Sequence, residues 1–208
     1  MKNDIKFLIM DVDGTLTDGK VYIGETGELF KSFNIKDGYG IAQILPKMGI
    51  EPVIITSRNS NIVQNRCKEL GIKYIIQNVR DKLSALHSVL SEYNNSNETT
   101  YDLRNCAYIG DDVPDVECMR AIKKSCGIVA CPHDAVKAVI EICDFVSCKD
   151  GGAGAVREFI EWFVSDLFYQ EGDKNRKKQY TIFKLCYFIK KYFVKIRKLN
   201  ISLKKEDG

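Results

Sequence analysis

The chain has 208 residues, 45% of them apolar and 28% charged, with a formal net charge of +3. That balance suits one globular domain with a sizeable core, and it excludes disordered, collagen-like and membrane-spanning classes. The charge is unevenly spread: residues 174–208 hold 12 Lys+Arg against only Glu206 and Asp207, so the remainder is an acidic body with a net charge of −7.

The first predicted element is a buried strand over Ile5–Met10, which runs directly into Asp11-Val12-Asp13-Gly14-Thr15. Two carboxylates placed one residue apart at the end of a buried strand repel each other where water is scarce. A hard divalent cation with oxygen ligands relieves that repulsion. Gly14 turns the chain, and Thr15 and Thr17 add hydroxyls. Asp-x-Asp-Gly also occurs as a plain acidic turn, so the reading depends on what the other strand ends bring.

Val21–Ile23 and Leu29–Phe33 flank Gly24-Glu25-Thr26-Gly27 and predict a hairpin. Gly38–Met48 is helix-like, Pro52–Ile55 a short buried strand, and Ser60–Leu70 an amphipathic helix stopped by Gly71. Tyr74–Ile76 is a strand and Lys82–Tyr93 a helix, followed by Asn94-Asn95-Ser96-Asn97 as a polar loop. Cys106–Ile109 is a strand ending at Gly110-Asp111-Asp112, and a helix begins near Asp115. Gly127–Ala130 and Phe145–Val146 are the last strands, and Val156–Leu167 is a helix.

Strands separated by helices predict an α/β, Rossmann-like, mostly parallel sheet with helices on both faces. Ligands bind such sheets at the carboxyl ends of the strands. Asp11 and Asp13, Thr56-Ser57-Arg58, and Asp111-Asp112 all fall at those ends. Their convergence would give an oxygen-rich pocket suited to Mg2+. One carboxylate can attack phosphorus and form an aspartyl phosphate, and a second can act as general acid and base. Lys82 suits the role of a balancing cation that also holds a phosphoryl group, and Thr56 that of a donor to a phosphate oxygen.

The eight cysteines include no Cys-x-x-Cys pair and are accompanied by only two histidines, His87 and His133, so no zinc site is expected. No leader-like segment and no apolar run of membrane-spanning length is visible, which predicts a cytoplasmic protein with reduced thiols. Division at 168/169 separates the globular domain, 1–168, from an extension, 169–208, in which aromatic residues alternate with lysines over Tyr180–Leu199. A basic helix of this kind packs on the acidic body or between subunits, or docks on an acidic partner or an anionic membrane surface. Nucleic acid is not an expected partner.

As a set, Asp11-Val12-Asp13-Gly14-Thr15, Thr56 after Val53-Ile54-Ile55, Lys82, and Gly110-Asp111-Asp112 with Asp115 resemble the four motifs of the haloacid dehalogenase superfamily of phosphatases. The resemblance implies Asp11 as nucleophile and Asp13 as general acid and base, with Thr56 and Lys82 on the phosphate. It implies magnesium held by Asp11, the Asp13 carbonyl and Asp111. Asp112 and Asp115 are then supporting carboxylates, with Asp112 placed to orient Lys82.

The segments Lys20–Phe33, Phe33–Gly40 and Gly151–Glu158 are similar to the subfamily of 3-deoxy-D-manno-octulosonate 8-phosphate phosphatases. This implies a β-hairpin flap in place of a large cap domain, a homotetramer in which a neighbouring subunit closes each site, and a place in lipopolysaccharide biosynthesis. Related members act on nine-carbon sialic-type 9-phosphates and carry an acidic residue at the position of Arg58. An arginine fork suits a sugar-acid carboxylate, so Ser57 and Arg58 are read as substrate contacts. Ser57 replaces the usual glycine, and Ala153 stands where arginine is common. A non-catalytic tetramerising module that serves a partner through the tail is the alternative from another class.

Overall fold

The computed structural model describes residues 4–168, and the basic extension expected over 169–208 lies outside the described residues. Six strands form one sheet: β1 Phe7–Met10, β4 Glu51–Ile55, β5 Tyr74–Ile76, β6 Cys106–Ile109, β7 Ile128–Cys131 and β8 Phe145–Val146. Their order is β5-β4-β1-β6-β7-β8, with every pair parallel. The remaining two strands, β2 Tyr22–Gly24 and β3 Gly27–Phe30, make an antiparallel hairpin of their own.

The sheet is buried on both faces, which is why β1, β6 and β7 read as uninterrupted apolar runs rather than alternating ones. Phe7, Ile9, Val53, Ile55, Tyr108 and Val129 face helices α3 (Lys82–Asn97), α4 (Val113–Lys124) and α5 (Lys137–Ile140), which supply Leu86, Val89, Met119, Ile122 and Val139. On the opposite side, α1 (Ile35–Tyr39), α2 (Asn61–Glu69) and α6 (Ala155–Phe168) cover the sheet, with Phe145 stacked on Phe159 at 5.6 Å between centroids. Helices on both faces of a parallel sheet, with a hairpin where a cap domain would stand, are as the sequence predicts.

The chain runs from β1 to β4 on one side of the sheet, and after β5 returns across to β6 on the other side of β1. The crevice between the carboxyl ends of β1 and β6 is therefore the topological switch point. Asp11 follows β1 there and donates its backbone N–H to the Ile109 carbonyl at 3.1 Å, while Asp111 follows β6.

Three predicted elements differ. The helix expected over Gly38–Met48 begins earlier, at Ile35, and proceeds through a wide turn over Gly40–Ile44 into a tight one over Pro46–Met48. Pro46 has no N–H to donate, and Leu45 reaches back five residues to the Gly40 carbonyl. The polar run Asn94–Asn97 is the last turn of α3, not a loop. Asn94 accepts from the Tyr101 N–H and donates to the Tyr101 carbonyl, and Asn97 donates to the Tyr93 carbonyl. These side chains satisfy the helix end instead of breaking it. The hairpin's second strand stops at Phe30 rather than Phe33, because Lys31 turns inward to Asp13.

Candidate active site

β1 and its loop bring Asp11 and Asp13, β6 and its loop bring Asp111, and the first turns of α3 and α4 bring Lys82 and Asp115. The Lys82 ammonium donates to Asp11 Oδ1 at 2.6 Å and to Asp115 Oδ1 at 2.7 Å, and all three side chains are buried. Burial works against the Lys82 charge, but the two carboxylates outweigh it and raise its pKa. Burial and the Asp115 charge push the Asp11 carboxyl up to about 6 despite the pull of Lys82. Burial and the Asp11 charge push Asp111 up to about 7, against a hydrogen bond from Thr15 Oγ1 at 2.9 Å.

Three carboxylates, Asp11, Asp111 and Asp115, share this pocket with one lysine, Lys82, and that excess of negative charge suits a divalent cation. Asp11, Asp111 and Asp115 each offer an oxygen within 4.8 Å of the others. Asp115 is already occupied, however. Its Oδ1 accepts from Lys82 and from the Tyr108 hydroxyl at 2.7 Å, and its Oδ2 accepts from the backbone N–H groups of Asp111 and Asp112 at 3.0 and 3.2 Å. Four donors on one carboxylate leave it a supporting role, while Asp11 and Asp111 have the character of cation ligands. The residues present fit a magnesium ion.

Asp112 does not orient Lys82. It is exposed and caps α4, its Oδ1 accepting the Val113 N–H at 2.7 Å, and in the reciprocal capping box Asp115 turns inward. The helix start thus assigns the two acids opposite faces, a distinction invisible in Asp-Asp-Val-Pro-Asp as a string.

Glycines allow the close approach of the loops that follow β1 and β6. Gly14 has a φ of +94°, and a Cβ there would overlap the Asp111 carboxylate. Gly151 lies against the Gly14 and Thr17 carbonyls, where a Cβ would likewise overlap. The glycine-rich segment 151–154 therefore buttresses the β1 loop from behind. The helix that follows it, α6, is tied to α1, since Asp37 Oδ1 accepts the Arg157 N–H at 2.7 Å. Burial pushes the Asp37 carboxyl up to about 6.

Thr56 is buried directly after β4, one strand over from Asp11. Ser57 and Arg58 follow it and are exposed. The Arg58 carbonyl accepts the Asn78 N–H at 3.2 Å, so the segment is pinned to the loop before α3. Asp13 is met by two cations: Lys31 forms an ion pair with its Oδ1, and Arg58 Nε lies 3.7 Å from its Oδ2. Lys31 also pairs with Glu28 at 2.9 Å. Sequence reasoning missed Lys31, Glu28 and Asp37; single charged residues in a short hairpin and a short helix carry no periodic or motif signal.

No family model matches the chain. The chain is 40% identical over 158 residues to the 3-deoxy-D-manno-octulosonate 8-phosphate phosphatase KdsC of Escherichia coli K12, covering 76% of this chain and 78% of that one. The Yersinia pestis protein of the same name is 36% identical over 171 residues, covering 82% and 83%. Among solved structures, the Yersinia pestis phosphatase superposes with a TM-score of 0.72 at 34% identity, over 82% of this chain and 86% of that one. The Moraxella catarrhalis phosphatase, in complex with a magnesium ion, a phosphate ion and a KDO molecule, superposes with a TM-score of 0.70 at 38% identity, over 79% and 88%.

Proposed function

Because the chain belongs to the haloacid dehalogenase superfamily, within the 3-deoxy-D-manno-octulosonate 8-phosphate phosphatases, we propose that it is a magnesium-dependent phosphatase of sugar-acid phosphates, with 3-deoxy-D-manno-octulosonate 8-phosphate as its substrate. The observation that carries the reading is the meeting of Asp11 and Asp111 across the β1/β6 crevice, with the buried Lys82 ammonium on Asp11.

Asp11 is the nucleophile in this reading, and Lys82 fixes its rotamer through Oδ1 while adding positive charge for the incoming phosphoryl group. Asp11, Asp111 and the Asp13 carbonyl would hold Mg2+, which when bound neutralises charge between the carboxylate and the phosphate. Asp13 protonates the leaving sugar oxygen, then takes a proton from the water that hydrolyses the aspartyl phosphate. Lys31 and Arg58 hold its carboxyl group at the mouth of the crevice. Thr56 donates to a phosphate oxygen. Arg58, nearly half exposed, is available to pair with the sugar acid's carboxylate.

Exposed Ile23, Leu29 and Phe30 on the hairpin support assembly with further copies into the homotetramer, a cytoplasmic assembly in this reading. No helix among the described residues is long and apolar enough to cross a membrane.

The experiment is phosphate release from the eight-carbon 8-phosphate and a nine-carbon sialic-type 9-phosphate, each with and without magnesium. Release from the first at a higher kcat/KM, dependent on magnesium, is the expected result. A preference for the second reassigns the substrate, and no release from either removes the enzymatic reading.

A further inference from the structure

Glu28, on the hairpin, sits in a receptor for a carboxylate. Its Oε1 lies 2.9 Å from the Lys31 ammonium and 3.3 Å from Arg58 Nη2, and its Oε2 accepts from the Ser60 hydroxyl. Lys31 and Arg58 in turn both face Asp13. Two acids and two bases therefore alternate around a closed ring at the mouth of the crevice. Lys31 is almost fully enclosed within it, its side chain 1% exposed, whereas the Arg58 side chain is 44% exposed.

The ring is electrically balanced while the crevice holds no substrate. A phosphate ester that brings its own carboxylate upsets that balance, because Arg58 cannot pair fully with both Glu28 and the newcomer. An ester without a carboxylate gains nothing at this point, since every cation there is already matched. Resting on the reaction proposed above, we propose that Glu28 is a specificity-determining residue. Its carboxylate occupies the place of the substrate's carboxylate on Arg58 and Ser60, and only a sugar acid displaces it. The exchange replaces one carboxylate by another, so it leaves neither Arg58 nor the buried Lys31 without a counter-charge. Displacement also releases the hairpin from α2, since the Glu28 contact to Ser60 is made at the residue that caps that helix.

The test compares the full chain with Glu28→Gln, which keeps the shape of residue 28, removes its charge and leaves one acceptor oxygen where the carboxylate had two. Binding of free 3-deoxy-D-manno-octulosonate to the magnesium-loaded proteins is measured by titration calorimetry. In parallel, KM is measured for the sugar-acid 8-phosphate and for p-nitrophenyl phosphate, an ester without a carboxylate. Loss of the internal competitor is expected to tighten sugar-acid binding by about fivefold, the scale of one half-exposed charge pair. The KM of the sugar-acid ester falls with it, while that of p-nitrophenyl phosphate does not follow. Glu28→Asp keeps the charge but withdraws it by one methylene, and its affinity for the sugar acid falls between the other two. Equal or weaker binding by Glu28→Gln, or an equal change in KM for both esters, overturns the proposal and leaves Glu28 a structural latch. Calorimetry needs no turnover, so a wild type that releases no phosphate refutes the reaction and leaves the displacement to be judged by the binding order.

Discussion

Asp115 Oδ1 stands 2.7 Å from the Lys82 ammonium while Asp115 Oδ2 accepts the backbone N–H groups of both Asp111 and Asp112. One buried carboxylate therefore joins the cation of α3 to the loop after β6, and the spacing between Lys82 and Asp111 follows from it.

Asp115→Asn offers one acceptor oxygen to four donors and leaves Lys82 with a single counter-charge. Breaking a buried pair in this way costs about 3–5 kcal/mol. Asp112→Ala, which removes only an exposed helix cap, costs about 1 kcal/mol. Urea unfolding of the two variants measures the difference. Equal losses would mean that the capping residue and the inward carboxylate are not the separate devices described above.

Asp11→Asn is expected to abolish phosphate release, by about a thousandfold or more, because an amide does not attack phosphorus. The fold survives, since the oxygen of the new amide can still accept from Lys82. Thermal unfolding and a phosphate assay read the two effects separately. Turnover at the wild-type rate would remove Asp11 as the nucleophile.

The sheet and the location of its crevice were legible because buried parallel strands leave long apolar runs, and Phe7–Met10 ends in acids that nothing apolar explains. Asp11, Thr56, Lys82 and Asp111 each adjoin such a run or open a helix, so topology alone brings them to one end of the sheet. What escaped was decided by geometry at the scale of one turn. Asp112 and Asp115 are chemically alike, and only the capping box of α4 sends one outward and the other to Lys82. Lys31 reads as an ordinary hairpin lysine until the fold places Asp13 beside it. Asn94–Asn97 has the composition of a loop, yet Asn94 finds its partners on Tyr101, beyond the helix it helps to end.

Gly151→Ala would press a methyl group into the Gly14 and Thr17 carbonyls. Both belong to the backbone of the β1 loop, which carries Asp13 and flanks Asp11, so relief requires the loop to shift. Overpacking of this kind costs about 1–3 kcal/mol. A displacement of about an ångström in reacting groups lowers turnover on the order of a hundredfold. The expected signature is a kcat loss larger than the loss of stability alone explains, seen by assaying well below the unfolding temperature. A variant with full kcat would show that segment 151–154 does not position the catalytic loop.

Asp11 and Asp111 also set how stability answers to pH and metal. Both carboxyls are raised, to about 6 and about 7, so the folded protein holds protons that the unfolded chain has already released. For a raised carboxyl the stabilising difference is complete below the unfolded value and is lost as pH climbs through the folded one. The metal-free protein is therefore expected to lose stability between about pH 4 and pH 7, and Asp37, raised to about 6, adds to the same trend. Magnesium binds the ionised forms of Asp11 and Asp111, so its stabilising effect must grow over the same interval, whereas the Asp37 contribution does not respond to it. Thermal unfolding with and without magnesium at pH 5 and pH 8 tests this: the metal-induced rise in Tm should be several degrees larger at pH 8, by roughly the 2–4 °C per kcal/mol of a domain this size. A rise of the same size at both pH values would mean that these two carboxylates do not hold the ion.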